Sequence, residues 1–325
     1  MRIYFAPLEG ITGYLYRNAF HEFFGEGIDK YFTPFIATIH GGNLKKRSLT
    51  DVLPENNERL PIVPQILGNN AEDFIALCGQ LKQLGYEEVN LNLGCPYRTV
   101  VSKGKGAGFL GKKEELKAFL DCIFDKERTA ISIKTRIGKD SPEEFEELLA
   151  LFAQYPLKEL IIHPRTVQDF YANKPNMTVF EQALFKVSMP VCYNGDIFTK
   201  EDYEHFQKKY PEVDRIMIGR GFLTNPGLLR EIRQDQEITK EEIRAFHNRL
   251  YEDYERVMSG EKDTLFKMKE LWNYLQYLFE DREEETRKEK YLKQIRKAQR
   301  KTDYKAAVNT LFRECEIKQG AGFKG

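Results

Sequence analysis

The feature that most constrains the fold is a regular alternation of short apolar runs with helix-like stretches. The runs begin roughly 25 to 40 residues apart and are continuously apolar, as strands buried on both faces are. They are Ile3–Ala6, Tyr31–Ile36, Ile62–Leu67, Val89–Leu93, Ala130–Thr135, Leu160–His163, Val191–Tyr193 and Arg215–Ile218. The stretches between them include Tyr14–Phe24, Ala71–Leu84, Lys113–Phe124, Pro142–Ala153, Lys200–Lys209 and Pro226–Arg233. This rhythm predicts an α/β fold, a (β/α)8 TIM barrel over residues 1–235, with a doubly wound sheet as the alternative.

The strand rhythm stops after Gln234, and helical periodicity continues alone. One apolar stripe recurs at i, i+3 and i+4 spacing and contains the single tryptophan, Trp272. We interpret this stripe as the core of a small helix bundle, not as a surface on which bases stack. The pattern predicts a C-terminal all-helical domain over residues 236–316, and the glycine-rich segment 317–325 is predicted to be disordered.

Composition excludes several classes of protein. Five cysteines without paired or zinc-like spacing argue for a reducing compartment and against disulfides or a metal site. The N-terminus becomes polar too soon for a secretion signal, and no apolar stretch approaches the ~18 residues of a membrane span. We therefore expect a cytoplasmic protein. Because the formal net charge is zero, a nucleic-acid partner has to be held by a local patch.

A barrel concentrates its chemistry just past the carboxyl ends of its strands, and polar residues follow seven of the predicted strands there. They occur in Pro7–Gly10, at Gln65 and Gly68, in Asn92–Cys95, at Lys134 and Arg136, in His163–Thr166, in Asn194–Asp196 and in Gly219–Gly221. Any one of these residues, taken alone, could be a helix cap or a turn residue. Their repetition favours one site at this end of the barrel.

Cys95 is the best single indication of chemistry. It lies in Asn92-Leu-Gly-Cys-Pro96, at the end of an apolar run, and the glycine-spaced segment Lys103–Gly108 follows it. A buried free cysteine usually acts as a small hydrophobe. A thiol at the mouth of a strand, beside a loop, instead suits a proton donor.

Two further strand ends predict an anionic ligand. The glycines Gly195, Gly219 and Gly221 allow close backbone approach after strands seven and eight, where barrels often bind phosphate, and Arg220 offers a fork of donors. Lys134 near the end of a buried strand is costly to desolvate unless an anion faces it. Reduced flavin is such an anion, and Gln65 and His163 could hydrogen-bond the flavin ring or its chain.

The ordered set of these motifs resembles the tRNA-dihydrouridine synthases, flavoenzymes that reduce uridine in tRNA. The resemblance covers most of the chain, and its motifs run from Ala6–Gly10 through Asn90–Pro96 to Gly219–Gly221. It implies an FMN-containing barrel, a helical tRNA-binding domain, NADPH as reductant and Cys95 as the acid. The residues that it implies for FMN are Pro7, Leu8, Glu9, Gln65, Lys134, His163, Asn194, Gly195, Asp196, Gly219 and Arg220.

The substrate contacts are predicted from position and charge. Asn92 is expected to hydrogen-bond the uracil or flavin edge, and Arg165 to contact the substrate. A run of cations beyond residue 289 is predicted to share one helical face and to follow the RNA phosphates, together with cations near the Cys95 loop. The run comprises Lys290, Lys293, Arg296, Lys297, Arg300 and Lys301, and the loop cations are Arg98, Lys103 and Lys105.

Departures from the family pattern leave the target nucleotide open. Leu8 stands where methionine is common, Thr12-Gly13 where an acidic residue often follows the threonine, and Pro164 where glycine is frequent. Two other functions stay in view. A barrel flavin oxidoreductase acting on a free pyrimidine would share the FMN residues but would not need the basic helix. A non-catalytic RNA-binding protein would leave Cys95 and Lys134 without a role.

Overall fold

The computed structural model describes residues 1–40, 46–281 and 287–323. Its strands are β1 (Arg2–Phe5), β2 (Lys30–Phe32), β3 (Ile36–Ala37), β4 (Ile62–Val63), β5 (Gln65–Leu67), β6 (Glu88–Leu93), β7 (Ala130–Arg136), β8 (Leu160–His163), β9 (Val191–Tyr193), β10 (Arg215–Ile218), β11 (Phe279–Asp281) and β12 (Cys315–Ile317). Its helices are α1 (Tyr14–Phe24), α2 (Lys46–Val52), α3 (Ala71–Gln83), α4 (Arg98–Val101), α5 (Lys113–Lys126), α6 (Glu144–Phe152), α7 (Met177–Lys186), α8 (Lys200–Lys209), α9 (Arg220–Thr224), α10 (Leu228–Gln234), α11 (Lys240–Val257), α12 (Glu261–Leu275), α13 (Arg287–Lys297) and α14 (Lys301–Glu314). None of the helices in these ranges combines the length and the apolar character that a membrane span requires.

The first ten strands form the predicted barrel. Their order is β3-β5-β6-β7-β8-β9-β10-β1-β2-β4, and β2 pairs with β4 while β3 pairs with β5. Pro64, which has no N–H to donate, separates β4 from β5, yet its carbonyl accepts from the Asn90 N–H at 2.9 Å. The segments β2–β3 and β4–β5 are therefore two interrupted strands, and the ring of eight closes through them. The prediction of a (β/α)8 barrel is confirmed.

The helices agree with the predicted stretches to within a few residues. α1 and α8 have the predicted bounds, and α8 begins with a capping box in which Thr199 and Asp202 exchange bonds. The sequence prediction missed α7, whose N-cap Asn176 accepts from the Val179 N–H at 3.2 Å. It also missed the antiparallel pair β11–β12 in the otherwise helical C-terminal part.

The chain forms two compact units. The first comprises Met1–Glu9, Ile28–Asp196 and Pro211–Met217, and it contains the barrel strands. The second comprises Gly10–Gly27, Ile197–Tyr210 and Ile218–Gly325. The functional division into domains at residues 235 and 316 stays a prediction.

The amino end of the barrel is closed by a network of paired charges. Glu159, fully buried, accepts from Lys30 at 2.8 Å and from Arg215 at 3.0 Å, and the Tyr4 hydroxyl donates to it at 2.9 Å. Lys30 also bonds Glu88 at 2.8 Å. Every charged group in this network therefore has a partner of opposite charge within the protein.

The second unit is helical and has its own core. Phe246 of α11 meets Tyr16 and Phe24 of α1 edge to face, with centroids 5.7 and 5.4 Å apart. Trp272 is 1% exposed and donates from its indole nitrogen to the Tyr304 hydroxyl at 2.9 Å, which confirms its assignment to the core.

The last described residues also belong to this core. In the segment expected to be disordered, Ala321 is buried and the Phe323 ring lies 5.2 Å from that of Tyr277. Gln319 and Gly320 between them and β12 are exposed, and the disorder expected for 317–325 stays a prediction.

Candidate active site

Cys95 is held at the carboxyl end of β6 by the residue that precedes it on the strand. The Asn92 side-chain oxygen accepts from the N–H groups of Gly94 and Cys95, at 3.1 and 2.9 Å. These two bonds fold the backbone over the end of the strand and leave the thiol 8% exposed.

The glycine-spaced loop packs directly on Cys95. The Ala107 N–H donates to the Cys95 carbonyl at 3.1 Å. Gly106 has a φ of +56°, and a Cβ there would lie 3.0 Å from the Cβ of Cys95. At Gly108 a Cβ would lie 2.6 Å from the Val101 carbonyl oxygen. Both positions therefore favour glycine: a side chain at Gly106 would meet Cys95, and one at Gly108 would meet the backbone of Val101.

The surroundings of Cys95 keep it a thiol. Burial is the main cause that raises its pKa above the ordinary value, and the charge of Glu9 adds to the increase. The backbone N–H of Tyr97 and the cations Arg136 and Lys134 act in the opposite direction but do not reverse it. Cys95 is thus protonated at neutral pH, which suits a proton donor and not a nucleophile.

A row of buried amides crosses the neighbouring strands. Gln65 donates to Asn90 at 2.8 Å, Asn92 donates to Gln65 at 2.6 Å, and Asn90 donates to Ser132 at 3.0 Å. Both the oxygen and the nitrogen of the Asn92 amide therefore already have partners in the protein. Its clearest action is on Cys95, and the expected contact with the uracil or flavin edge stays a prediction.

Lys134 is a cation without an anion. It lies on β7, in register with Asn92 of β6 and Ile161 of β8. Within the described residues its ammonium group makes no hydrogen bond or ion pair, and burial, with Arg136 as a second cause, lowers its pKa to about 8. An unpaired cation in such a position is stabilised by an anionic ligand.

Arg165 holds two of the predicted cofactor contacts in place. Its guanidinium pairs with both carboxylate oxygens of Asp196 and approaches the Nε2 of His163 to 3.0 Å. Its Nε donates to the Asn173 carbonyl. Because an arginine is always a donor, His163 must accept at Nε2. The Arg165 side chain is 2% exposed, and its predicted contact with the substrate stays a prediction.

Arg136 is the second buried cation of this end. It donates to the carbonyls of Gly94 at 3.1 Å and Thr166 at 2.6 Å, and one of its terminal nitrogens has no hydrogen-bond partner. The guanidinium carbon lies 5.2 Å from the centroid of the Tyr171 ring. Burial is the main cause that lowers its pKa.

The end of β9 is tightly packed. The Asn194 side chain donates to the Met217 carbonyl at 2.9 Å, and a Cβ at Gly195 would overlap the Tyr193 ring. Pro7 and Leu8 are half-buried after β1, and Glu9 is exposed. The residues after β1 and β9 therefore lie at the carboxyl ends of their strands, where barrels bind their ligands.

Gly219 and Arg220 lie in the second unit. Gly219 is the N-cap of α9, and the Arg220 guanidinium lies between two rings, 5.1 Å from the centroid of Phe198 and 4.9 Å from that of Phe323. Such stacking covers the faces of a guanidinium. Their contact with a cofactor phosphate stays a prediction.

The three cations near Cys95 differ in solvent exposure. Arg98 and Lys103 are exposed. Lys105 is half-buried and donates to the Thr38 carbonyl at 3.3 Å, and burial lowers its pKa. Arg98 and Lys103 are therefore better suited to an external phosphate than Lys105.

The predicted basic face of the second unit is smaller than the sequence suggested. Lys290, Lys293 and Lys297 line one groove with residues of α14. Arg296 instead lies near Gln276 and Glu289, at 3.3 and 3.5 Å. The prediction that all six cations share one helical face is wrong because α13 ends at Lys297 and a turn separates it from the other two. Arg300 caps α14, and Lys301 pairs with Glu255 at 3.5 Å.

Comparison with known proteins identifies the family. Residues 4–316 match the dihydrouridine synthase family. The chain belongs to this family. It is therefore an oxidoreductase, and the sequence resemblance is confirmed.

Relatives within and beyond the family agree with this assignment. A probable tRNA-dihydrouridine synthase of Staphylococcus epidermidis is 27% identical over 260 residues, which cover 77% of this chain and 78% of the relative. The tRNA-dihydrouridine(16) synthase of Shigella flexneri is 27% identical over 300 residues, covering 88% and 91%. A morphinone reductase variant solved with tetrahydroNAD shares the fold, with a TM-score of 0.53 at 10% identity over 74% of this chain and 89% of that one.

The barrel unit of this dihydrouridine synthase family member fits a flavin. Two observations within the described residues carry the fit: the ammonium group of the half-buried Lys134 has no anion, and one buried nitrogen of Arg136 has no hydrogen-bond acceptor. Both are donors that an electron-rich ring with carbonyl oxygens would satisfy.

The sequence prediction assigned no role to Tyr97, Phe170 and Tyr171. Tyr171 lies between Arg136 and His163, and its ring centroid is 5.9 Å from that of His163. Only the adjacency of Tyr97 to Cys95-Pro96 could have pointed to the first of them. Nothing in the sequence indicates that the loop after β8 returns to β7.

Proposed function

We propose that this protein reduces uridine to 5,6-dihydrouridine in tRNA, at a position in the D loop, with FMN as cofactor and NADPH as reductant. The observation that carries the proposal is that one end of the barrel holds both a protonated Cys95 and Lys134, a cation without an anion among the described residues. Family membership supports the reaction. The printed names of the relatives support tRNA as the substrate.

The residues of the barrel unit would hold the flavin as follows. Lys134 would face the part of the ring that carries negative charge on reduction, and so favour the reduced form. Gln65 and His163 would hydrogen-bond the ring or its chain, and Arg165 would keep His163 and Asp196 in position. Pro7, Leu8 and Glu9 would border the ring, while Asn194 and Gly195 would border the chain. When bound, reduced FMN supplies the hydride that goes to C6 of uracil.

Cys95 would complete the reduction by giving its proton to C5 of uracil, where charge develops. Three features of the chain serve this step. Burial keeps the sulfur protonated, the bonds to Asn92 fix the backbone of Cys95, and the loop through Gly106 packs against the Cβ and carbonyl of Cys95. General-acid catalysis of this kind contributes about 10²- to 10⁴-fold in rate.

A uridine inside a folded tRNA has to leave its stack before it can reach such a site, and the binding energy comes from elsewhere on the RNA. Arg98 and Lys103 are exposed cations of the barrel unit. The groove of Lys290, Lys293 and Lys297 is a cationic surface of the second unit. We assign both to the phosphate backbone. Since tRNA and NADPH are cytoplasmic compounds, we propose the same compartment for the protein.

The test is dihydrouridine formation in an unmodified tRNA transcript incubated with the flavin-loaded protein and NADPH, measured by nucleoside mass spectrometry. Product, mapped by sequencing the RNA, supports the proposal and names the position. NADH in place of NADPH shows which reductant is preferred. A flavin-loaded protein that oxidises NADPH without forming product contradicts it, and reduction of free uracil or uridine would then favour the small-molecule reductase.

A further inference from the structure

Two large aromatic side chains of the barrel unit are exposed and touch each other. Tyr97 is 52% exposed and Phe170 is 42% exposed, and their ring centroids lie 5.7 Å apart at an interplanar angle of 78°. Other exposed rings in the described residues, such as Phe185, lack such a partner among the exposed ones. In an edge-to-face pair, one ring contacts the other through its edge. The faces of that ring can therefore still stack against another aromatic group.

The backbone holds Phe170 outward at a cost. Its φ is +48°, in the left-handed region that bulky residues avoid. The turn is fixed by Asp169, which accepts from the Thr166 N–H at 2.7 Å and from the Thr166 hydroxyl at 2.9 Å, and by the Phe170 N–H, which donates to Val167 at 3.1 Å. A strained residue that its neighbours determine so fully is characteristic of a ligand-binding segment.

The aromatic pair adjoins the candidate active site. Tyr97 follows Cys95 by two residues, and its backbone N–H acts on the thiol. On the other side, the Phe170 ring lies 4.9 Å from that of Tyr171, which in turn covers Arg136. The pair is thus close to Cys95 in the chain and is joined to Arg136 through Tyr171.

We propose that Tyr97 and Phe170 form a stacking platform for an unpaired base of the RNA, a neighbour of the uridine that is reduced. The inference rests on the proposed function. Flat aromatic faces beside cations bind single-stranded nucleic acid, and Arg98 is the exposed residue next to Tyr97. Extrusion of one nucleotide also unstacks its neighbours, which then need a new surface.

Binding and turnover of an unmodified tRNA transcript test the platform. Tyr97→Ala and Phe170→Gly should each raise the KM and the Kd for tRNA roughly tenfold, while NADPH oxidation without tRNA stays unchanged. Glycine is chosen at position 170 because it accepts the positive φ, so that loss of the ring does not strain the turn. Tyr97→Phe should retain affinity, because stacking requires the ring and not the hydroxyl.

The matched control is Phe185→Ala, which removes a ring that is 87% exposed in the last turn of α7. Helices of a (β/α)8 barrel end at the opposite side from the carboxyl ends of the strands, so this variant should bind tRNA normally. Equal losses in Phe185→Ala and Tyr97→Ala, or unchanged affinity in both platform variants, would overturn the inference.

An abasic residue in the RNA separates stacking from other effects. Placed next to the reduced uridine, it should weaken binding to the wild type about as much as Tyr97→Ala does, and should have no further effect on that variant. Additive losses would contradict the platform. If the wild type forms no dihydrouridine, the proposed function fails, but fluorescence anisotropy with a short single-stranded RNA still tests the platform by comparing Tyr97→Ala with Phe185→Ala.

Discussion

The two ends of the barrel treat buried charge in opposite ways. At the amino end, Lys30 and Arg215 share the buried carboxylate of Glu159, and Glu88 gives Lys30 a second partner. At the carboxyl end, Lys134 has no anion among the described residues. Removing a cation from water costs free energy at both ends. Among the described residues, only the cations of the amino end have a carboxylate partner.

The difference separates charged residues that stabilise the fold from charged residues that bind a ligand. A cation whose partner is a buried carboxylate is satisfied whether or not anything binds. A cation without one makes the free protein less stable and gains most when an anion arrives. Substitutions at the amino end should therefore change stability, and those at the carboxyl end should change binding and turnover.

The largest effect is expected at Cys95. Cys95→Ala should lower dihydrouridine formation by about 10²- to 10⁴-fold, because the proton donor is lost, with flavin content and NADPH oxidation unchanged. Mass spectrometry of the RNA and absorbance of the flavin measure the two. Cys122→Ala, on α5, is the control, and undiminished reduction by Cys95→Ala would remove the acid role.

At the amino end, Glu159→Gln should lower the free energy of unfolding by about 3 kcal/mol, because Lys30 and Arg215 lose their shared carboxylate in a buried position. Urea titration measures the loss. The flavin-loaded fraction should keep wild-type activity per bound flavin. Glu146→Gln, at an exposed pair with Lys186, is the control. An unchanged midpoint for Glu159→Gln would break the contrast between the two ends.

The affinity for FMN should depend on pH through Lys134. Its pKa in the free protein is lowered to about 8, and a bound anion would raise it. Affinity is then complete below that pH and falls as pH rises through it, by at most about tenfold per pH unit. Fluorescence titration with FMN checks this, and Lys134→Met should show weak binding without the same pH dependence. A wild-type profile that is flat across this range would contradict the assignment.

The smallest expected effect is on the stability of the flavin-free protein, and it also depends on Lys134. Lys134→Met should raise the free energy of unfolding of the flavin-free protein by about 1 kcal/mol at pH 7, because a half-buried charge with no anion among the described residues is removed. The folded-state pKa lies below the unfolded value, so wild-type stability should rise as the pH rises from about 8 to 10.5, and the difference should shrink. A less stable Lys134→Met protein would show that the ammonium group has a structural partner.

Much of the barrel could be predicted because its strands are short apolar runs and its helices begin at recognisable caps. The strand ends also indicated Cys95, Lys134 and His163, since parallel strands place their carboxyl ends at one edge. The interruption at Pro64 was harder to predict because it lies inside the apolar run Ile62–Leu67, and α7 was harder because a polar loop precedes it. The six-cation face failed because a turn after Lys297 divides what the sequence presents as one helical run.

By itself, the sequence determined the barrel, the family and the order of the polar motifs, because periodicity and local motif spacing are properties of adjacent residues. Only the tertiary structure decided which partners those residues have. It placed the Arg165 guanidinium against His163 and Asp196 and the Asn92 amide against Cys95, and within the described residues it left Lys134 without an anion. It also brought Phe170 to Tyr97 across a gap of many residues. Contacts between strands depend on how the whole ring closes, and no local pattern contains that information.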